Sequence, residues 1–250
     1  MIDKVGFELL KRMLGPGADA FGENFGIMIK GLTIGMAFWG EGRVAIYEEK
    51  MKEFLEQTKV KKSKINKKTD PDINIAGPVF DASFYYFDKK YYRELFSNLL
   101  ANASNEEKQN IIHPSFVDII KQLSPLESKI LNTFSKSFMS CYPLAIFKGF
   151  DSKGRVTPYY TYFIDFLEEN SKFGINDTER YQISIENLVR LGLLQKRSDI
   201  IQANYDYNKF KNNLRYKVIE VENPNEILKL ERYRIELTLL GRDFVECCCK

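Results

Sequence analysis

The chain has 250 residues, of which 44% are hydrophobic and 28% charged, and its net charge is +3. That is enough for one large core or two smaller ones, and the balance is that of a globular domain rather than a disordered or membrane-embedded one. So mild a charge does not by itself imply nucleic acid. Cys141 and the terminal Cys247, Cys248 and Cys249 show no CxxC or Cys/His spacing, which argues for free thiols in a reducing cytoplasm and against structural zinc.

Residues 2–14 place Ile2, Val5, Leu9, Leu10 and Met13 on one helical face, and Gly15-Pro16-Gly17 ends the run. They carry charges throughout and lack a cleavage pattern, so no signal peptide is expected. The segment 18–39 contains Gly22-x-x-x-Gly26 and Gly31-x-x-x-Gly35, spacings that let helix backbones approach closely. From Ile27 through Phe38 and Trp39 it is almost wholly apolar. As a helix this run spans about 20 Å, short of a ~30 Å hydrocarbon core. It is read either as a helix packed on the protein's own body or as a membrane-active or oligomerising segment.

Residues 43–57 predict an amphipathic helix with Val44, Tyr47, Met51, Phe54 and Leu55 inward. Lys59, Lys61, Lys62, Lys64, Lys67 and Lys68 then place six lysines in ten residues. They are read as a solvated linker over 59–71, with contact to an anionic surface as the alternative. Residues 72–87 predict a helix that Pro78 starts or kinks, followed by a helix over 89–103 capped by Asp88. In the second, Tyr92, Leu95, Phe96, Leu99 and Leu100 form the inner stripe.

Two more helix starts follow. Pro114 suits a first helical position, which puts the chain's only histidine, His113, at or near the N-cap. Ser124-Pro125-Leu126-Glu127 is a capping box. Phe116, Val117, Ile119, Ile120 and Leu123 form the apolar face between them.

The C-terminal third changes character. A helix over 124–138 is expected first, then an aromatic, turn-rich section in which 159–167 reads as helical. Ser184–Leu194 reads as a helix with a stop at Gly192. Ile200-Ile201 and Tyr216–Val221 read as strands around a loop, Tyr233–Thr238 as another, and Thr238 as the cap of a last helix through Val245. Helix, hairpin and final helix in that order predict a winged-helix-like module. The fold class is therefore mainly α with a small antiparallel sheet. Its expected divisions are 1–58, 59–71, 72–138 and 139–250.

In such a module the helix ending at Leu191 would be the recognition helix, with Glu186, Asn187 and Arg190 outward. Between Arg190 and Lys217 seven basic residues face two acidic ones. Asn187, Arg190, Lys196, Arg197, Lys209 and Lys211 are accordingly the candidate phosphate contacts. Glu186 and the scarcity of arginine on the helix count against DNA. No catalytic constellation stands out: His113 beside Pro114 is read as a capping residue, and no phosphate loop, HExxH motif or acidic metal pair is present.

Three blocks in order resemble the abortive-infection alpha (Abi-alpha) family. They are Asn74–Ala82 (NIAGPVFDA), Tyr92–Ala103 (YRELFSNLLANA) and His113–Glu127 (HPSFVDIIKQLSPLE). The strings LVRLGLL and LTLLGRDFV downstream are compatible with it. The resemblance implies a bacterial, cytoplasmic or membrane-associated protein in defence against bacteriophage. It implies no catalytic residues and no cofactor, and His113, Pro114, Lys121, Gln122, Ser124 and Glu127 match the family pattern as structural positions. The expected mode of action is interaction with protein or membrane, in a homo-oligomer that responds to a phage-derived trigger or a host protein. The competing readings are a DNA-binding regulator and a sensor module for a phage protein.

Overall fold

A computed structural model describes residues 41–136, 141–164 and 175–250. Gly22, Gly26, Gly31, Gly35, Phe38 and Trp39 lie outside the described residues. The chain divides into two units, one running to Leu123 and resuming at Asp243–Lys250, the other spanning Ser124–Arg242. The second is thus inserted into the first along the chain. The break falls inside the capping stretch at Leu123/Ser124, rather than at residue 138.

The first unit begins with α1 (Glu41–Ser63), α2 (Ile73–Tyr86) and α3 (Lys90–Ala103). Phe54 and Leu55 of α1 are buried, as are Tyr92, Leu95, Phe96, Leu99 and Leu100 of α3. Phe54, Phe80, Phe87 and Phe96 are at most 1% exposed. The Phe54 and Phe87 ring centroids lie 4.4 Å apart, and Phe54 meets Phe80 edge-on at 6.2 Å. α1 is longer than expected and takes in Lys59, Lys61 and Lys62, so these three are not linker residues. Lys61 explains why: its ammonium donates to Ser97 Oγ at 2.5 Å and to the Glu94 carbonyl at 3.3 Å, which fixes the last turn on α3. Asp72 starts α2, accepting from the Asn74 N–H at 2.8 Å, and Pro78 lies inside that helix. Asp88 does not cap α3. The N-cap is Lys89 with no side-chain bond, and the Asp88 carbonyl instead accepts from the buried Arg93 guanidinium at 3.3 Å.

α4 (Ser115–Gln122) follows a turn built by His113, whose Nδ1 accepts from the Ser115 N–H at 3.1 Å. Pro114 already has helical dihedrals, so the expected start holds to within one residue. Phe116, Val117, Ile119 and Ile120 are all buried. The unit is completed by the chain's own end, a π-helical turn over Val245–Cys249. Phe244 meets the Phe116 ring edge-on at 5.3 Å. The side-chain amides of Asn98 and Asn102 donate to the Cys248 and Cys247 carbonyls at 2.8 and 2.9 Å, and Lys108 pairs with Glu246 at 2.8 Å. A helix end with orphan carbonyls needs such donors.

The second unit opens with α5 (Pro125–Lys136), and both bonds of the capping box are present. The Glu127 N–H donates to Ser124 Oγ at 3.2 Å, and the Ser124 N–H donates to Glu127 Oε2 at 2.7 Å. Then come β1 (Cys141–Phe150), β2 (Val156–Ile164), α6 (Ile175–Arg190), β3 (Leu194–Arg197), a 3-10 segment (Tyr207–Asn212), α7 (Leu214–Glu222), β4 (Ile227–Leu237) and α8 (Leu239–Phe244). Among the described residues the sheet is antiparallel in the order β2-β1-β4-β3.

Alternation along β1 sends Ala145 and Phe147 to one face and Leu144 and Ile146 to the other, and all four are buried. Tyr207, Phe210 and Tyr216 cover the first face. On the other, the Tyr142 ring meets Phe134 of α5 at 5.0 Å. Burial on both faces removes the polar alternation that would have marked β1 in the sequence.

Three expectations in this unit are corrected. The stretch from Tyr159 to Ile164 is strand, paired along β1 through a turn in which Asp151 Oδ1 accepts from the Lys153 and Arg155 N–H groups. Tyr216–Val221 is helical. Asn213 caps it by accepting from the Arg215 N–H at 2.9 Å, and its buried residues Tyr216 and Ile219 stand three apart. Ile200 and Ile201 form no strand and are exposed. The expected antiparallel pair after the Gly192 stop exists as β3 and β4, but the 29 residues between them hold a 3-10 segment and α7 where a winged helix has a short hairpin turn.

Candidate functional site

Most motif residues singled out in the sequence build the fold. Gly192 has φ +73° and ends α6, and Thr238 caps α8 by accepting from the Gly241 N–H at 2.9 Å. The two strings LVRLGLL and LTLLGRDFV dock on each other. The Thr238 hydroxyl donates to the Gly192 carbonyl at 2.5 Å, and the Thr238 N–H donates to the Leu193 carbonyl at 3.0 Å.

The candidate phosphate contacts are dispersed. On α6, Arg190 is bonded to Asn187 Oδ1 at 2.7 Å. Lys196 and Arg197 are neighbours on β3 and so point to opposite faces. Arg197 is engaged by Asp199 at 2.5 Å and by Glu236 at 3.2 Å, and the guanidinium holds the Asp199 carboxyl down at about 2. Lys209 and Lys211 are exposed on the 3-10 segment, where Lys209 sits over the Tyr205 ring at 5.6 Å. Asn187 and Arg190 are thus bonded to one another.

Sequence reasoning missed a buried, multiply bonded carboxylate of this unit. Glu236 is 7% exposed and takes Gln195 and Arg197 on Oε1 and Arg234 on Oε2. Charges alternating along Arg232-x-Arg234-x-Glu236 were the available signal, since residues two apart share a strand face. It missed also the amides of Asn98 and Asn102, one helical turn apart on α3. Among the described residues, no group of three His, Cys, Asp or Glu side chains is placed to hold a metal ion.

The cysteines are inward. Cys141, Cys247 and Cys248 are buried, and burial pushes the Cys247 thiol up to about 12. An unfolded thiol ionises near 8.5. Between these values the unfolded chain releases a proton that the folded chain keeps, so stability present below about pH 8.5 is lost as pH rises towards 12, on the order of 1 kcal/mol per pH unit per such thiol. Urea unfolding from pH 8 to 11 is expected to show the decline, and Cys247→Ala to flatten it. A pH-independent midpoint would contradict the burial.

The basic surface of the first unit is continuous along the chain. Lys59, Lys64, Lys67 and Lys68 are exposed at the end of α1 and in the loop after it. That loop is fixed rather than loose: the Glu106 N–H donates to the Lys67 carbonyl at 3.1 Å and the Thr69 N–H to the Ser104 carbonyl at 3.0 Å.

A helical unit completed by residues 243–250, with the unit 124–242 inserted along the chain and motif residues serving as caps and clasps, makes a mainly helical α+β protein. Residues 43–248 match the model of the abortive infection alpha family, and the chain belongs to that family. Membership assigns it an abortive-infection, antiphage role. No curated protein and no solved structure matches the chain significantly.

Proposed function

We propose that the protein stops phage propagation by interaction with a protein or membrane partner and not by a reaction of its own. The observation that carries this is the use of its motif polar groups. His113, Ser124 and Glu127 each cap a helix, and Asn98 and Asn102 hold the C-terminal carbonyls. The exposed Lys59, Lys64, Lys67 and Lys68, with the glycine-rich segment 18–39 that lies outside the described residues, are assigned to contact, in a chain that acts as a homo-oligomer in the cytoplasm or at the membrane face. Among the described residues no helix is long and apolar enough to cross a membrane.

The DNA-binding alternative loses support from the engagement of Arg197 by Asp199 and Glu236 and of Arg190 by Asn187. Phage challenge of cells expressing the full chain or a chain lacking residues 1–40 tests the reading. Protection and collapse of membrane potential should disappear together in the shorter chain. Protection without any change in potential would remove the membrane from the mechanism.

A further inference from the structure

We infer that Lys59, Lys64, Lys67 and Lys68 form a docking surface for anionic phospholipid headgroups. The inference rests on the interaction reading above and names its partner.

Between Lys59 and Lys68 there are six lysines and no acidic residue. They fall into two sets. Lys61 is anchored to α3 through Ser97 and the Glu94 carbonyl, and Lys62 is half-buried. Lys59, Lys64, Lys67 and Lys68 are exposed. The inner pair therefore fixes the helix end, and the outer four are held out from it. The loop that carries three of them is pinned by bonds from Glu106 and Thr69, by a bridge between Lys68 and Asn105, and by turns closing Lys64 on Lys61 and Ile65 on Lys62. A pinned loop does not need to be ordered on binding, so the attraction is not offset by lost chain entropy. Among the described residues, Lys67 alone of the four has a carboxylate within ion-pair distance, Glu107 at 3.5 Å, and both groups are more than 60% exposed.

Lipid is favoured over nucleic acid by what accompanies the charge. Val60, between Lys59 and Lys61, is 54% exposed, and Ile73 beyond the loop is 55% exposed. Aliphatic side chains beside lysines suit the boundary between headgroups and acyl chains. The stretch 59–74 has no arginine to fork onto a base edge or phosphate and no aromatic ring to stack on a base.

The test is co-sedimentation of the full chain with vesicles of phosphatidylcholine alone and with vesicles containing phosphatidylglycerol, at low and high salt. The variant Lys59→Gln/Lys64→Gln/Lys67→Gln/Lys68→Gln is compared with Lys209→Gln/Lys211→Gln, with circular dichroism as the check of folding. Each lysine near an anionic surface is worth about a five-fold change in binding. The quadruple variant should therefore lose roughly a hundred-fold or more of the preference for phosphatidylglycerol, and the double variant should lose none. Residues 1–40 are the same in the parent chain and both variants, so their contribution cancels when the three are compared. Equal binding to both vesicle types, or an unchanged preference in the folded quadruple variant, overturns the inference. So does tighter, lysine-dependent binding to duplex DNA. Full phage protection by a quadruple variant that no longer binds vesicles would uphold the lipid surface while removing it from the defence mechanism.

Discussion

A chain ending at Arg242 will fail to fold its helical unit. The eight residues removed include Phe244, Val245, Cys247 and Cys248, all at most 3% exposed. Burying side chains of this kind contributes about 1.5–3 kcal/mol each, so the deletion removes about 6–10 kcal/mol. Whole domains are stable by about 5–15 kcal/mol. The loss also strips the Asn98 and Asn102 amides and Lys108 of their acceptors. Amide hydrogen exchange reads the result by position. Protection should vanish in α1 to α4 and persist in β1 and β4, because the inserted unit does not contain the deleted residues. Undiminished protection across α3 would contradict the clasp.

Gly241→Ala is the most damaging single substitution expected. A Cβ at that position would lie 2.0 Å from the Leu193 carbonyl oxygen and 2.9 Å from its carbon. The obstacle is backbone, and the same carbonyl accepts from the Thr238 N–H, so it cannot move away without breaking the junction. Overpacking of this kind costs about 3 kcal/mol or more. Gly192→Ala isolates a different cost. Its nearest neighbour would be a Leu240 methyl at a comfortable 3.7 Å, so the penalty is the left-handed φ alone, about 1 kcal/mol. Gly77→Ala should stabilise by about 0.5–1 kcal/mol, since it lies in a helix with nothing within 4 Å. Urea midpoints should therefore fall in the order Gly77→Ala, parent, Gly192→Ala, Gly241→Ala. A Gly241→Ala midpoint equal to the parent's would refute the close approach.

The helical unit was legible because its signals are local. The Leu95, Phe96, Leu99, Leu100 stripe and the Pro114 start each lie within two turns of chain. The inserted unit was not, because its sheet depends on distant partners. β1 is buried on both faces, which leaves a continuous apolar run without alternation. β2 is rich in tyrosine, and only the Asp151–Gly154 turn before it announces a hairpin. The Tyr216–Val221 stretch is rich in the aromatic and β-branched residues that favour strands, yet Asn213 caps it as a helix and Tyr216 packs against Phe147. Tertiary contact decided there against local pattern.

The candidate site divides in the same way. Single capping groups could be found from spacing. The Glu236 cluster and the pinning of the lysine loop could not, because both join residues about forty apart in the chain. Six lysines in a run of ten read as a solvated linker, and the bonds to Glu94, Ser97 and the segment 104–106 reveal an anchored surface.

The account holds that the shared motifs are architecture and that defence is delivered by contact. His113 gives the most direct measurement, because it is the chain's only imidazole. Asparagine keeps a capping acceptor at that position and removes the acid–base group. Phage plating on cells expressing His113→Asn should match plating on cells expressing the parent chain. A stably folded His113→Asn chain that gives no protection would make the imidazole a reactive group and contradict the account.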